Sequence, residues 1–223
     1  MGKKITEQNN FYYLTVALII LLVSSSLDQV LHITWLDKIM QGITLLTFVV
    51  CLVSLRFDSG WYRFLLSLAV TWIALVIIKE LLDFKQIDIA MLVLMLSFFF
   101  GTFKSIMRQI LFTGSIDNNK VVGSLALFLL LGLMWAIAYL LILEFSPSSF
   151  TGLEAKNWGD NFSNAAYFSF VTLTTLGYGD ISPISPVAQV IVYLEAIAGV
   201  FYMAIVVASL VGASQNSQEN NDG

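Results

Sequence analysis

Gly177-Tyr178-Gly179-Asp180 and the lone Glu195 are the residues whose types and spacing point to chemistry in this chain. Two glycines one residue apart can both hold left-handed backbone at little steric cost. Alone, such a pair reads as an ordinary turn. Here it follows an apolar stretch, 165–176, that is too short to cross a bilayer, and long apolar runs flank the whole segment. Non-helical backbone at membrane depth survives only where it is buried in protein or lines a water-filled path. The pattern therefore predicts a re-entrant helix followed by a loop that lines an aqueous pathway. Glu195 stands deep in the last apolar run, and an intramembrane carboxylate is by default a functional or pairing site. One cysteine (Cys51) and one histidine (His32) remove disulfide frameworks and Cys/His metal sites.

The elements that must position these residues follow from composition. Of 223 residues, 58% are hydrophobic and 12% charged, and the mean hydropathy is +0.84. A soluble domain carries about 25% charged residues, so a soluble enzyme is excluded. A net charge of −4 with no basic cluster excludes a nucleic-acid binder. The expected class is all-α integral membrane protein, with six transmembrane helices over about 11–27, 39–55, 62–78, 87–103, 121–143 and 187–213. The Lys/Arg bias of the loops, with Lys3, Lys4, Arg56, Arg63, Lys104, Arg108 and Lys120 on one side, predicts cytoplasmic N- and C-termini. Lys3 and Lys4 ahead of an apolar run ending in Ser24–Ser26 resemble a signal peptide. That run is longer than a usual signal core, and an uncleaved first span is expected. The opening MGKKIT fits a loose myristoylation pattern, read as coincidence in a chain already anchored by helices.

The string TTLGYGD, Thr174–Asp180, resembles the selectivity filter of tetrameric potassium channels, with Leu176 where the commonest form has valine. The preceding YFSFVTLTT is most similar to pores of two-pore-domain and prokaryotic potassium channels. The resemblance covers about residues 121–213; the first 120 match only the general plan of four preceding helices. Together with the charge bias and the apolar runs, it predicts a cytoplasmic N-terminus (1–10), a four-helix membrane domain without an arginine voltage sensor (11–103), a cytoplasmic amphipathic linker (104–120), a pore domain (121–213) and a disordered cytoplasmic tail (214–223). The re-entrant pore helix and filter loop fall between the fifth and sixth spans.

The resemblance also implies site roles. Potassium would bind the carbonyls of Thr175, Leu176, Gly177 and Tyr178, with Gly179 continuing the filter and the Thr175 hydroxyl adding the innermost ring. Tyr178 would pack outward against the pore helix as a spacer. Tyr167, which with Phe168 stands where many relatives carry tryptophan, would hydrogen-bond Asp180. Val171 falls where some relatives keep a glutamate partner of that aspartate. The pore helix would end near Thr174, its terminal carbonyls favouring a cation in a central cavity. Glu195 would bond pore-helix hydroxyls such as Thr172 or Thr174. Gly199 aligns with the family's hinge glycine, though glycine in membrane helices also simply permits close packing. Val200, Ala204, Val207 and Val211 would line an apolar cavity and an inner constriction.

The expected function is a potassium-selective, leak-like channel in the cell membrane. Its permeant ligand is potassium, and no cofactor is needed. One filter per chain implies a homotetramer in a lipid bilayer, with room for a regulatory partner. Voltage dependence should be weak, because 87–103 holds no arginine for the field to move. The tail SQNSQENNDG is expected to carry no folded ligand-binding domain. A nonselective cation channel, a non-conducting regulatory subunit and a cation transporter subunit are rival readings. Gly177–Asp180 also satisfies the GxGD motif of intramembrane aspartyl proteases. That chemistry needs a second aspartate on the preceding helix, and none lies between Val121 and Gly159.

Overall fold

A computed structural model describes residues 9–31, 36–55, 59–81, 85–112, 118–154 and 157–207. Seven α-helices carry these residues: α1 Asn10–Leu31, α2 Leu36–Leu55, α3 Ser59–Leu81, α4 Lys85–Phe112, α5 Asn118–Phe145, α6 Trp158–Leu173 and α7 Pro186–Phe201. A π-helical turn, Tyr202–Val207, extends α7. Two short strands, β1 Phe150–Thr151 and β2 Ser182–Pro183, pair antiparallel on either side of α6 and the loop after it. Among the described residues the all-α expectation thus holds for everything but this clasp.

Among the described residues, five helices are long and apolar enough to cross a membrane, over Asn10–Leu27, Tyr62–Lys79, Gln86–Ile110, Asn119–Phe145 and Pro186–Ala204. In α2 the apolar stretch is the shorter Gly42–Ser54. The stretch 104–112, expected as part of a separate interfacial linker, instead continues α4. Ser105, Ile106 and Ile110 are buried in the core there, while Lys104 and Arg108 stay exposed.

The front helices share an aromatic core. Phe48 of α2 stacks on Phe98 of α4 at 4.0 Å and meets Trp72 of α3 edge-on at 5.4 Å. This group also touches the rest of the chain. Trp72 lies edge-on to Trp158, the first residue of α6, at 6.3 Å. The Trp158 indole N–H donates to Asp88 at 2.9 Å, and Asp88 pairs with Lys79 at 2.5 Å. At the opposite end, Asn119 of α5 donates to Asn10 of α1 at 2.8 Å, and Asn10 donates to the Ser54 carbonyl of α2 at 3.0 Å. Both α1 and α4 pack along α5, and α5 in turn backs α6. The front helices therefore lie against the helices that hold the site, within one chain.

Candidate functional site

Local chemistry starts and stops α6. Asn157 caps its first turn, accepting from the Gly159 N–H at 3.3 Å, and Thr174 closes the other end. A helix leaves its last carbonyls without partners, and here the loop that follows supplies them. The N–H of Thr174 donates to Phe170 at 3.0 Å, that of Thr175 to Thr172 at 2.9 Å, and that of Leu176 to Val171 at 2.9 Å. Gly177 shares the Val171 carbonyl at 3.3 Å. Part of the terminal negative charge expected to face a cavity is thus engaged by the loop's own amides.

Beyond Thr174 the backbone alternates in hand. Thr175, Gly177 and Gly179 have φ of 60°, 58° and 83°, with Leu176 and Tyr178 between them on the ordinary side. Such alternation is what lets successive carbonyls point the same way, where a strand would alternate them. A Cβ at Gly177 or Gly179 would meet nothing within 4 Å, so the backbone hand, and not crowding, calls for glycine there. The left-handed backbone of Thr175 is what sequence reasoning missed. A β-branched residue in this region costs about 1–2 kcal/mol, offset by its bond to Thr172. All seven residues from Thr174 to Asp180 are exposed in the single chain.

On the outer side of α6, the Tyr167 hydroxyl donates to Asp180 at 2.8 Å, and its ring stacks parallel to that of Tyr178 at 6.5 Å. The bond to the Asp180 carboxylate raises the Tyr167 phenol above its ordinary pKa. Phe168, one residue on, is buried against Tyr139 and Phe150.

Behind α6 lies Glu195, fully buried on α7. Its partner on α6 is a hydroxyl, as the sequence predicts, but that of Ser169 in place of Thr172 or Thr174. Thr174 donates to its own helix, at Phe170, 2.6 Å away. Glu195 accepts instead from Tyr139 of α5 and from Ser169 of α6, the latter at 2.5 Å. The Ser169 hydroxyl also lies 2.7 Å from the Gly132 carbonyl, so its one proton is shared between two acceptors. The carboxylate therefore ties α5, α6 and α7 together. Tyr139 and Ser169 carried no local signal except being hydroxyls in otherwise apolar runs.

Gly199 is likewise placed by packing: a Cβ there would lie 2.1 Å from the Leu173 carbonyl oxygen at the end of α6. The π-helical turn begins three residues later, at Tyr202. Val200 is exposed and so is Ala204. Val207 ends the turn, and Val211 lies outside the described residues.

Comparison with known proteins agrees with this geometry. Residues 126–215 match the family described as ion channel. Over 87 residues the chain is 36% identical to the inward rectifier potassium channel Kirbac3.1 of Paramagnetospirillum magnetotacticum, covering 39% of this chain and 26% of that protein. Over 84 residues it is 37% identical to potassium voltage-gated channel subfamily A member 5 of rat and of human, covering 36% of this chain and 14% of theirs. The chain thus spans well under two thirds of these relatives. No solved structure matches. The likeness is to channels and not to enzymes, which sets the protease reading aside. Residues 126–215, the part that holds the alternating loop, α6 and the buried carboxylate, carry an ion-channel domain.

Proposed function

We propose that this chain is one subunit of a homotetrameric, potassium-selective channel. It would have six spans, α2 among them, cytoplasmic termini and a re-entrant α6 between the fifth and sixth. The observation that carries the reading is the left-handed backbone at Thr175, Gly177 and Gly179 in a loop whose amides are anchored on α6. Four such loops around an axis present rings of carbonyl oxygens that replace the water of a dehydrated potassium ion. Thr175, Leu176, Gly177 and Tyr178 are the ion-binding positions in this reading. Tyr167, Asp180 and Glu195 hold the strand in place.

Assembly into four is supported by α7. Val190, Tyr193, Ile197, Val200 and Met203 are 40–56% exposed on the isolated chain, and only Ala188, Glu195 and Gly199 of α7 are buried. A helix with so little of its own chain around it has room for neighbouring copies and a pore. Between Ile87 and Phe103 the only charge is Asp88, which is paired with Lys79. Moving one charge through the field is worth about 2.3 kcal/mol per 100 mV, so conduction is leak-like, with weak voltage dependence. The test is flux into vesicles holding the purified chain under matched potassium and sodium gradients. Potassium uptake blocked by barium is expected. Equal sodium uptake would overturn selectivity, and a steep conductance–voltage curve would overturn the leak.

A further inference from the structure

The loop between α5 and α6 grips the segment that leaves the conducting strand. Phe150 pairs with Pro183, and Thr151 with Ser182. The Ser149 carbonyl accepts from the backbone N–H of Ile184 at 2.8 Å and of Ser185 at 3.2 Å. The Thr151 hydroxyl donates to the Ser182 carbonyl at 3.3 Å. The loop itself is fixed to the helices behind it: Ser149 and Phe150 are buried, and the Phe150 ring lies 5.5 Å from that of Tyr139 and 5.8 Å from that of Phe168. Gly152 closes the grip. Its φ is +75°, and a Cβ there would lie 2.2 Å from the Asp180 carbonyl oxygen and 3.1 Å from its carbon. Gly177 and Gly179 are glycines for backbone hand alone; Gly152 is glycine for hand and for space.

We propose that residues 149–152 form a brace that positions the outer end of the ion-conducting strand, with Gly152 the positioning residue that lets the brace close on Asp180. The inference rests on the reading of 175–179 as a potassium site. The inner end of the strand is anchored by amide bonds to Val171 and Thr172. A binding constellation must be held within about 0.5 Å of its productive geometry, and without the brace the outer end would rest on the Tyr167–Asp180 side-chain pair alone. The brace transfers the rigidity of the α5–α6 seam to the other end through main-chain bonds, independently of the Tyr167–Asp180 side-chain pair.

The test uses the full chain in vesicles and reads the potassium-to-sodium flux ratio, which a simple loss of working channels does not move. Gly152→Ala should lower that ratio about tenfold, the size expected when backbone strain is forced on the site. Thr151→Val, which removes one hydroxyl bond and adds no clash, should lower it about twofold. Gly42→Ala, where a Cβ would meet nothing within 4 Å, should match the unmodified chain. An assembled Gly152→Ala tetramer with the original ratio overturns the brace, and so does lower total flux at an unchanged ratio. If Gly152→Ala does not assemble, an unchanged ratio in Thr151→Val overturns it. An unmodified chain that passes no potassium sinks the conduction reading itself, and the brace with it.

Discussion

Two carboxylates, each paired with a tyrosine, stand on opposite sides of α6. Glu195 is fully buried, between Tyr139 and Ser169. Asp180 is exposed and accepts from Tyr167 at 2.8 Å. The chemistry is the same and the surroundings are not. A polar group buried in an apolar bundle costs heavily when it loses its partner, because no water replaces the bond. An exposed one is re-solvated at once. The rear pair should therefore govern whether the ion-channel domain stands, and the front pair how the run Thr174–Asp180 behaves once it does.

The widest separation is expected from Glu195→Ala. It leaves the Tyr139 hydroxyl without its acceptor and opens a void between three helices, so the assembled protein should lose about 3 kcal/mol of stability. Thermal dissociation of the proposed tetramer in detergent measures this, and an unchanged midpoint would contradict the rear pair's structural role. Next is Gly199→Ala, where the added methyl meets the Leu173 carbonyl. A loss of about 2 kcal/mol is expected from such overpacking. If Gly199 served only as a flexible hinge, stability would hold and opening alone would change.

Tyr139→Phe removes the rear hydroxyl but keeps the ring against Phe150 and Phe168. Ser169 still serves the carboxylate, so a loss of about 1–2 kcal/mol is anticipated. Its front counterpart, Tyr167→Phe, should leave the dissociation temperature where it was while shortening the time for which flux persists at low potassium. A drop in heat stability matching that of Tyr139→Phe would erase the contrast between the two sides. The smallest effect belongs to the front helices. Asp88→Asn weakens the Lys79 pair and the Trp158 bond, side chains that are 23% and 18% exposed in the pair, and about 0.5–1 kcal/mol is expected.

The run Thr174–Asp180 was legible because its requirements are local. Gly177 and Gly179 advertise left-handed backbone through residue type, and the non-spanning length of 165–176 says where that backbone must sit. Thr175 in the same conformation was hidden, since a threonine gives no sign of it. The helices were legible to within a few residues, with the length of α4 misjudged at Lys104 and Arg108. Charge there suggested an interface, while Ile106 and Ile110 on the other face continue the core.

By itself, then, the sequence determined the membrane class, the order of the apolar helices, the run Thr174–Asp180 and the singularity of Glu195. Tertiary structure decided which hydroxyls meet that carboxylate, that Gly199 clears a carbonyl, and that Gly152 closes on Asp180. The physical reason is range. Backbone hand and hydropathy are written within a few neighbouring residues. The bonds from Glu195 to Tyr139 and Ser169 join positions 56 and 26 apart, and only the packing of α5, α6 and α7 brings them together.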